Sequence, residues 1–337
     1  TYDNRSADTT DFFDVYARYL RVTVTSQSVG SGDSIRIREV SVFDASPTTT
    51  ELYIDNVSGD DANSGLAGFP WRTFNYSRDK VRPRDTLHVL DTGTPYGGML
   101  ELTTLHSGKH PGAIVRYLGD ENTLTEIDAT GSEFGFRFSQ TEYLEWSNFD
   151  IHSATAANIV AAKTGKSTIL ARNRIRDGLS RGVRANGDFT LSHNLIYGNS
   201  QGVFVYKDDM DIALFNNVFY NNWRGLVLSS YNIDAEVRNN IFSGNQDIAL
   251  YESSSGNIVD SHNCVDGSYS GDWQKISNVE LPPLFVDPEN GDFTLQSASP
   301  CIDAGIDLNS AGDFSGNGYF DVLNVPNTGS VGQFFLD

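Results

Sequence analysis

The chain has 337 residues, 39% of them hydrophobic, enough to build a core in one large domain or two smaller ones. Lys+Arg 24 against Asp+Glu 44 leaves a net charge of −20, which opposes nucleic acid and acidic membrane as general partners. No run of about 18 apolar residues is present, so no membrane span is predicted. Thr1 is not an initiator methionine, and the sequence reads as processed or truncated at its start. Abundant Asn, Ser, Thr and Gly with few Lys, Cys and Met fit an exported protein, secreted or periplasmic, expected as a monomer. Two cysteines, Cys264 and Cys301, allow one bridge, and spacing alone leaves that pairing open.

In chain order, residues 11–46 contain "YARYLRVTVTSQSVGSGDSIRIREVSVFDAS", which resembles the last strands of a discoidin-type carbohydrate-binding β-sandwich. Such a module is far longer, so residues 1–50 read as a truncated module or a cap, with Ser-Pro-Thr-Thr-Thr at 46–50 as linker to a second domain at 51–337. Beyond it a repeat appears. "WSNFDI", "ARNRIR", "SHNLIY", "FNNVFY", "RNNIFS" and "SHNCVD" place Asn148, Asn173, Asn194, Asn217, Asn240 and Asn263 in one column, at spacings of 25, 21, 23, 23 and 23 residues. A second column follows: "GVRAN" from Gly182, "GVFVY" from Gly202, "GLVLS" from Gly225 and the degenerate "DIALY" from Asp247. Units this short with three strand-like runs predict an all-β solenoid, a parallel β-helix whose coils stack about 4.8 Å apart. At that spacing the amides can bond one another as an internal ladder.

These features resemble the right-handed parallel β-helix proteins of carbohydrate metabolism, over residues 52–337. "YIDNVSGDDANSGLAGFPWRTF" (53–74) is similar to the opening of many secreted members: a short strand, a Gly-Asp-Asp-x-Asn turn, and a Pro-x-x-Thr lead-in to a capping helix. "LFVDPENGDFTLQSASPCIDAG" (284–305) and "GQFF" (332–335) are similar to the family's tail. The resemblance implies the fold far more than the reaction, because the architecture hosts lyases, hydrolases, epimerases and esterases. It also implies a sugar groove on the strands that follow the variable turn, beginning at Gly135, Asn158, Gly182, Gly202, Gly225 and Asp247.

Side chains alternate along such strands. Val183, Ala185, Val203, Val205, Leu226, Leu228, Ile248 and Leu250 are expected inside. The outward rows are then Arg137, Val160, Arg184, Phe204, Val227, Ala249 and Ser139, Ala162, Asn186, Tyr206, Ser229, Tyr251. A turn row of Gln140, Lys163, Gly187, Lys207, Ser230 and Glu252 comes last. Within a chain of −20, the window 172–184 holds five arginines and one aspartate. Its Arg176, Arg181 and Arg184, with Arg137, suit a carboxylated or sulfated glycan, since guanidinium pairs bidentately with planar oxyanions. Asn186, Phe204, Trp223, Arg224 and Tyr251 complete the expected sugar-binding set.

β-Elimination on a uronate needs its carboxylate neutralised, the C5 proton removed and the leaving oxygen protonated. Lys207 or Tyr206 is the candidate base and Arg184 the candidate neutraliser. A surface lysine paired with Asp208 or Asp209 is the plain alternative. The signatures of the chondroitinase-B-like, calcium-dependent pectate and alginate-epimerase groups are all missing. Hydrolysis would instead need two facing carboxyls, from Asp177, Asp188, Asp208, Asp209 and Glu252, although the polygalacturonase set is absent. A non-catalytic, glycan-binding solenoid is the third reading. His193 and His262 read as turn residues. No cofactor is required; "DFSGNGYFD" offers an optional calcium loop through Asp313, Ser315, Asn317 and Asp321, with Asn324 where a bidentate glutamate would stand.

Overall fold

A computed structural model describes residues 49–306 and 308, apart from 166, 254 and 255. The discoidin-like reading of the N-terminus and the calcium loop at 313–321 therefore lie outside the described residues, Thr49 and Thr50 excepted.

From Glu51 to Ile276 the chain is a right-handed parallel β-helix, as its repeat predicts. Each coil lays one strand into each of three sheets. The first sheet has ten strands, from Glu51–Ile54 to Gln274–Ile276. The second has eight, from Tyr96–Gly97 to Cys264–Val265, and the third eight, from Leu100–Thr103 to Tyr269–Ser270. Pairing is parallel and in register throughout; Val183 aligns with Val203, Val203 with Leu226, and Leu226 with Leu250. Stacked apolar columns therefore fill the interior, including Trp146, Phe136, Phe138 and Phe149 near the start. The expected capping helix is present at Phe74–Arg78, with the Thr73 side chain accepting from Tyr76 N.

The asparagine column lies inside, between the first and second sheets. Asn173 Nδ2 donates to Asn194 Oδ1 at 3.1 Å, Asn194 to Asn217 at 2.9 Å, Asn217 to Asn240 at 2.9 Å, and Asn240 to Asn263 at 3.0 Å. The residue before each rung turns the corner in the left-handed region: Arg172, His193, Asn216, Asn239 and His262 all have φ between 53° and 57°. Asn148 corrects one expectation. It is itself a corner residue with φ 68°, and Phe149 takes the rung position, its N–H donating to Asn173 Oδ1. The 25-residue interval, the widest of the five, marks that slip.

A second ladder, not anticipated, runs between the second and third sheets: Asn199 Nδ2 donates to Asn222 Oδ1 at 3.1 Å and Asn222 to Asn245 at 3.2 Å. Asn158 joins from the third sheet, bonding Asn199 Oδ1 at 3.2 Å. The glycine column also has a reason. A Cβ at Gly202 would sit 2.6 Å from Gly225 O, so successive coils approach too closely for any side chain. The last expected member is corrected. Ala249, not Asp247, follows Gly225, because Arg224 pairs with Ile248 and Leu226 with Leu250. Ile248 is consequently half-buried rather than interior, while Ala249 is fully buried instead of facing the groove.

After the last coil the chain folds back. A hairpin of Phe285–Asp287 and Asp292–Leu295 lays Phe285 and Phe293 against Tyr220, with centroids at 6.0 and 5.5 Å. The Cys264–Cys301 disulfide anchors this tail to the second sheet.

Candidate functional site

The third sheet presents its outward residues between buried ones, as the alternation predicts. Along one row stand Arg137, Val160, Arg184, Phe204, Val227 and Tyr251. Tyr251 thus lies in this row, beside Val227, and not in the row of Tyr206. Val227 is almost wholly covered, so it walls the groove without offering a contact surface.

At the centre of the sheet two arginines share one strand, Arg181–Ala185. The Arg181 guanidinium lies 4.6 Å over the Phe204 ring and that of Arg184 lies 4.8 Å over Tyr206. The two rings are nearly parallel, at 9°, with centroids 5.7 Å apart. Arg181 is further held by Gln201 Oε1 at 3.1 Å and Ser180 Oγ at 3.2 Å. Neither arginine forms an ion pair among the described residues. Burial, then the charge of Arg184, pushes the Arg181 pKa down, the direction expected of a cation lacking an anionic partner. Guanidinium on an aromatic face is fixed in orientation yet keeps its N–H edge free to meet a planar oxyanion.

The flanking arginines are compensated. Arg137 Nε faces Glu101 Oε1 at 3.7 Å, and Arg224 Nε meets Asp247 Oδ2 at 2.7 Å while lying 5.3 Å over Tyr251. Trp223, beside Arg224, is half exposed.

Lys207 stands exposed just beyond the strand Gln201–Val205. It pairs with neither neighbouring acid. Asp208 Oδ1 accepts from Ser230 Oγ and, at 2.9 Å, from Tyr231 N; Asp209 Oδ1 accepts from Asn232 Nδ2 at 2.7 Å. The Ser230 and Tyr231 bonds hold the Asp208 carboxyl below the usual range, with the Lys207 charge a lesser cause. Asp188 likewise accepts from Asp211 N at 2.9 Å, and Asn186 Oδ1 from Lys163 N at 3.1 Å. These side chains staple one coil's turn to the next.

Three expected members stand elsewhere. Arg176 belongs to the second sheet, where it binds Asp150 at 2.9 Å and Asp177 at 2.9 Å, so both Arg176 and Asp177 leave the groove. Arginine density in 172–184 does not reveal that a turn sends Arg174–Arg176 and Arg181–Ala185 to different sheets. Glu252 follows the two-residue slip of the strand Ile248–Glu252: it pairs with Leu228, is buried, and accepts from Asp272 N. Sequence reasoning gave no role to Gln201, which orients Arg181 and whose only signal is its place opposite that residue.

Residues 100–272 match the family model described as periplasmic copper-binding protein (NosD). No curated protein matches the chain. Among solved structures, the complex of XylC with xylose superposes with a TM-score of 0.52 at 11% identity, over 68% of this chain and 68% of that one. Pectate lyase Pel9A gives 0.49 at 14% identity over 78% and 94%. The pectin methylesterase from Aspergillus niger gives 0.44 at 12% over 69% and 86%. At such identities the likeness is one of fold.

Proposed function

The chain belongs to the NosD family of β-helix proteins, and from that scaffold we propose that it binds an acidic polysaccharide on the third sheet and cleaves it by β-elimination at a uronate. One observation carries the reading: in a chain of −20, Arg181 and Arg184 stand without carboxylate partners, each seated on an aromatic ring in an outward groove.

The family description names copper, and the donor set here does not fit it. Among the described residues no group of three or more His, Cys, Asp or Glu converges. Both cysteines are spent in the disulfide. His88 pairs with Glu51, His106 with Asp79 and His152 with Glu126. Copper sites draw on converging imidazole or soft sulfur ligands, and no such group converges among the described residues.

In the elimination, Arg184 and Arg181 bind the uronate carboxylate and spread the charge that builds as C5 loses its proton. Tyr206 Oη or Lys207 Nζ takes that proton. The electron pair forms the C4–C5 double bond as the C4–O bond breaks, and a protonated group or water returns a proton to the leaving oxygen. The acids near Lys207 hold coil turns together, which favours elimination over a paired-carboxylate hydrolysis. The disulfide and the family's periplasmic description support an oxidising setting outside the cytoplasm.

The test is incubation with a panel of uronate-containing and neutral glycans. New ultraviolet absorbance from an unsaturated uronate supports the reading. Reducing ends without that absorbance would make the protein a hydrolase, and retention without cleavage a binding solenoid.

A further inference from the structure

The charges on the third sheet are unevenly compensated, and their distribution bears on which acidic glycan the groove takes. On the middle coils of this sheet Arg181, Arg184, Lys163 and Lys207 form no ion pair among the described residues. They fall on three consecutive coils, at Ala157–Ala162, Arg181–Ala185 and Gln201–Val205 or just past their ends. On either side the arginines are already occupied, Arg137 by Glu101 and Arg224 by Asp247. The accessible outward residues around the four are uncharged: Ser139 and Val160 before, Ser229 and Tyr251 after.

Neighbouring coils stand about 4.8 Å apart, so three coils span about 10 Å, the reach of roughly two sugar residues. Resting on the acidic-glycan reading above, we propose that the groove selects a glycan whose uronates are separated by neutral sugars, rather than a homopolyuronate. A homopolyuronate carries a carboxylate on every residue. Beyond the central coils its charges would meet neutral pairs, and beyond those the field of a −20 chain; each such carboxylate is desolvated or repelled with nothing in return. In an alternating glycan the uronate sits at Arg181 and Arg184, and its neutral neighbours lie toward Val160 on one side and Ser229 and Tyr251 on the other. The pairs Glu101–Arg137 and Asp247–Arg224 then determine specificity by withholding cations from the flanks.

The experiment is calorimetric titration at low salt with two tetrasaccharides of equal length, one a homopolyuronate and one alternating uronate with neutral sugar. The alternating one is expected to bind about tenfold or more tightly, and lengthening the homopolyuronate from two to six residues to gain nothing. The double variant E101Q/D247N, which releases Arg137 and Arg224, should narrow the gap by raising homopolyuronate affinity alone. A homopolyuronate that binds as well as the alternating glycan, or gains with every added residue, overturns the specificity proposal while leaving the acidic-glycan reading intact. Failure of both tetrasaccharides to bind would remove that reading and this proposal together.

Discussion

Replacing Asn217 with leucine tests the interior architecture most directly, because the structure gives every bond at stake. Asn217 is buried to 1% exposure. Its Oδ1 accepts from Asn194 N and Asn194 Nδ2, both at 2.9 Å; its Nδ2 donates to Leu191 O at 3.1 Å and Asn240 Oδ1 at 2.9 Å. Leucine has a similar volume and removes all four. Some partners recover: Asn240 Oδ1 keeps Asn217 N, and Asn194 Nδ2 keeps Leu170 O and Ser192 O. The Asn194 N–H keeps nothing. Orphaning that buried donor costs about 1–3 kcal/mol, and loss of the other three bonds about 0.5–1.5 kcal/mol each, for a total of roughly 2.5–7.5 kcal/mol. That is a large part of the stability of a typical domain. Urea unfolding followed by far-ultraviolet circular dichroism reads the change, with the slope checked so that the midpoint shift reports stability. Asn148→Leu is the control, since Asn148 is a half-buried corner residue outside the ladder. A loss under about 1 kcal/mol at 217, or equal losses at both positions, would refute the ladder as a stabilising element.

Other outcomes follow from the site and its surroundings. Arg184→Ala should weaken binding of a uronate oligosaccharide about 10- to 100-fold, as expected for one charge-assisted contact, with the dichroism spectrum unchanged. Tyr206→Phe keeps the ring beneath Arg184; a fall in kcat of about 10² or more would name the hydroxyl as base, whereas the same fall in Lys207→Ala would name the lysine. Asp260 is buried against Asn263, Asn278 and Tyr269, and desolvation raises its pKa to about 6 from 3.8. Its folded value lies above its unfolded one, so its contribution is complete below pH 3.8 and lost as pH rises through 6. Melting at pH 7 and pH 4 should therefore differ by up to about 3 kcal/mol in favour of the acid from this group, and Asp260→Asn should flatten that part of the profile. Reduction of Cys264–Cys301 opens a link 37 residues long and should cost at most about 4 kcal/mol in denaturant titrations with and without reductant.

The solenoid was legible because its physics repeats. A side chain that bonds its own kind at each coil must recur at each coil, so Asn173 to Asn263 stand out in the sequence. The second ladder was equally regular, with Asn199, Asn222 and Asn245 each five residues beyond a rung of the first. Its members stand at turns, where asparagine is common for local reasons, so residue type alone does not mark them as a ladder. Errors entered where residue type was matched in place of register: Asn148 for Phe149, and Asp247 for Ala249. The slip of two in the strand Ile248–Glu252 kept Leu250 inward and Tyr251 outward but turned Ile248 out, buried Ala249 and Glu252, and moved Tyr251 by one row. The charged site was half legible. Arginine density marked 172–184, but only packing separates Arg181 and Arg184 from Arg176, whose acids come from Asp150, a coil away, and adjacent Asp177.

Why a fold can be this plain and a reaction this reticent has a structural cause. Inward positions are fixed by contact with identical positions one coil above and below, so Val183, Val203, Leu226 and Leu250 constrain one another. Outward positions lack that two-sided constraint and meet only nearby outward side chains, as Arg184 meets Tyr206. Arg184, Phe204 and Val227 align in one row without any demand of the fold that they be cationic, aromatic or aliphatic. Substitution there costs the scaffold little. Chains that share the inward columns can therefore carry unrelated chemistry outside, and a family description that names copper does not bind this member to it. What sets this chain's chemistry apart is the local failure of charge compensation at Arg181 and Arg184. A protein with nearly twice as many acids as bases could have paired them, as it paired Arg137, Arg176 and Arg224, and leaving these two bare on aromatic supports keeps them available for an anion from outside.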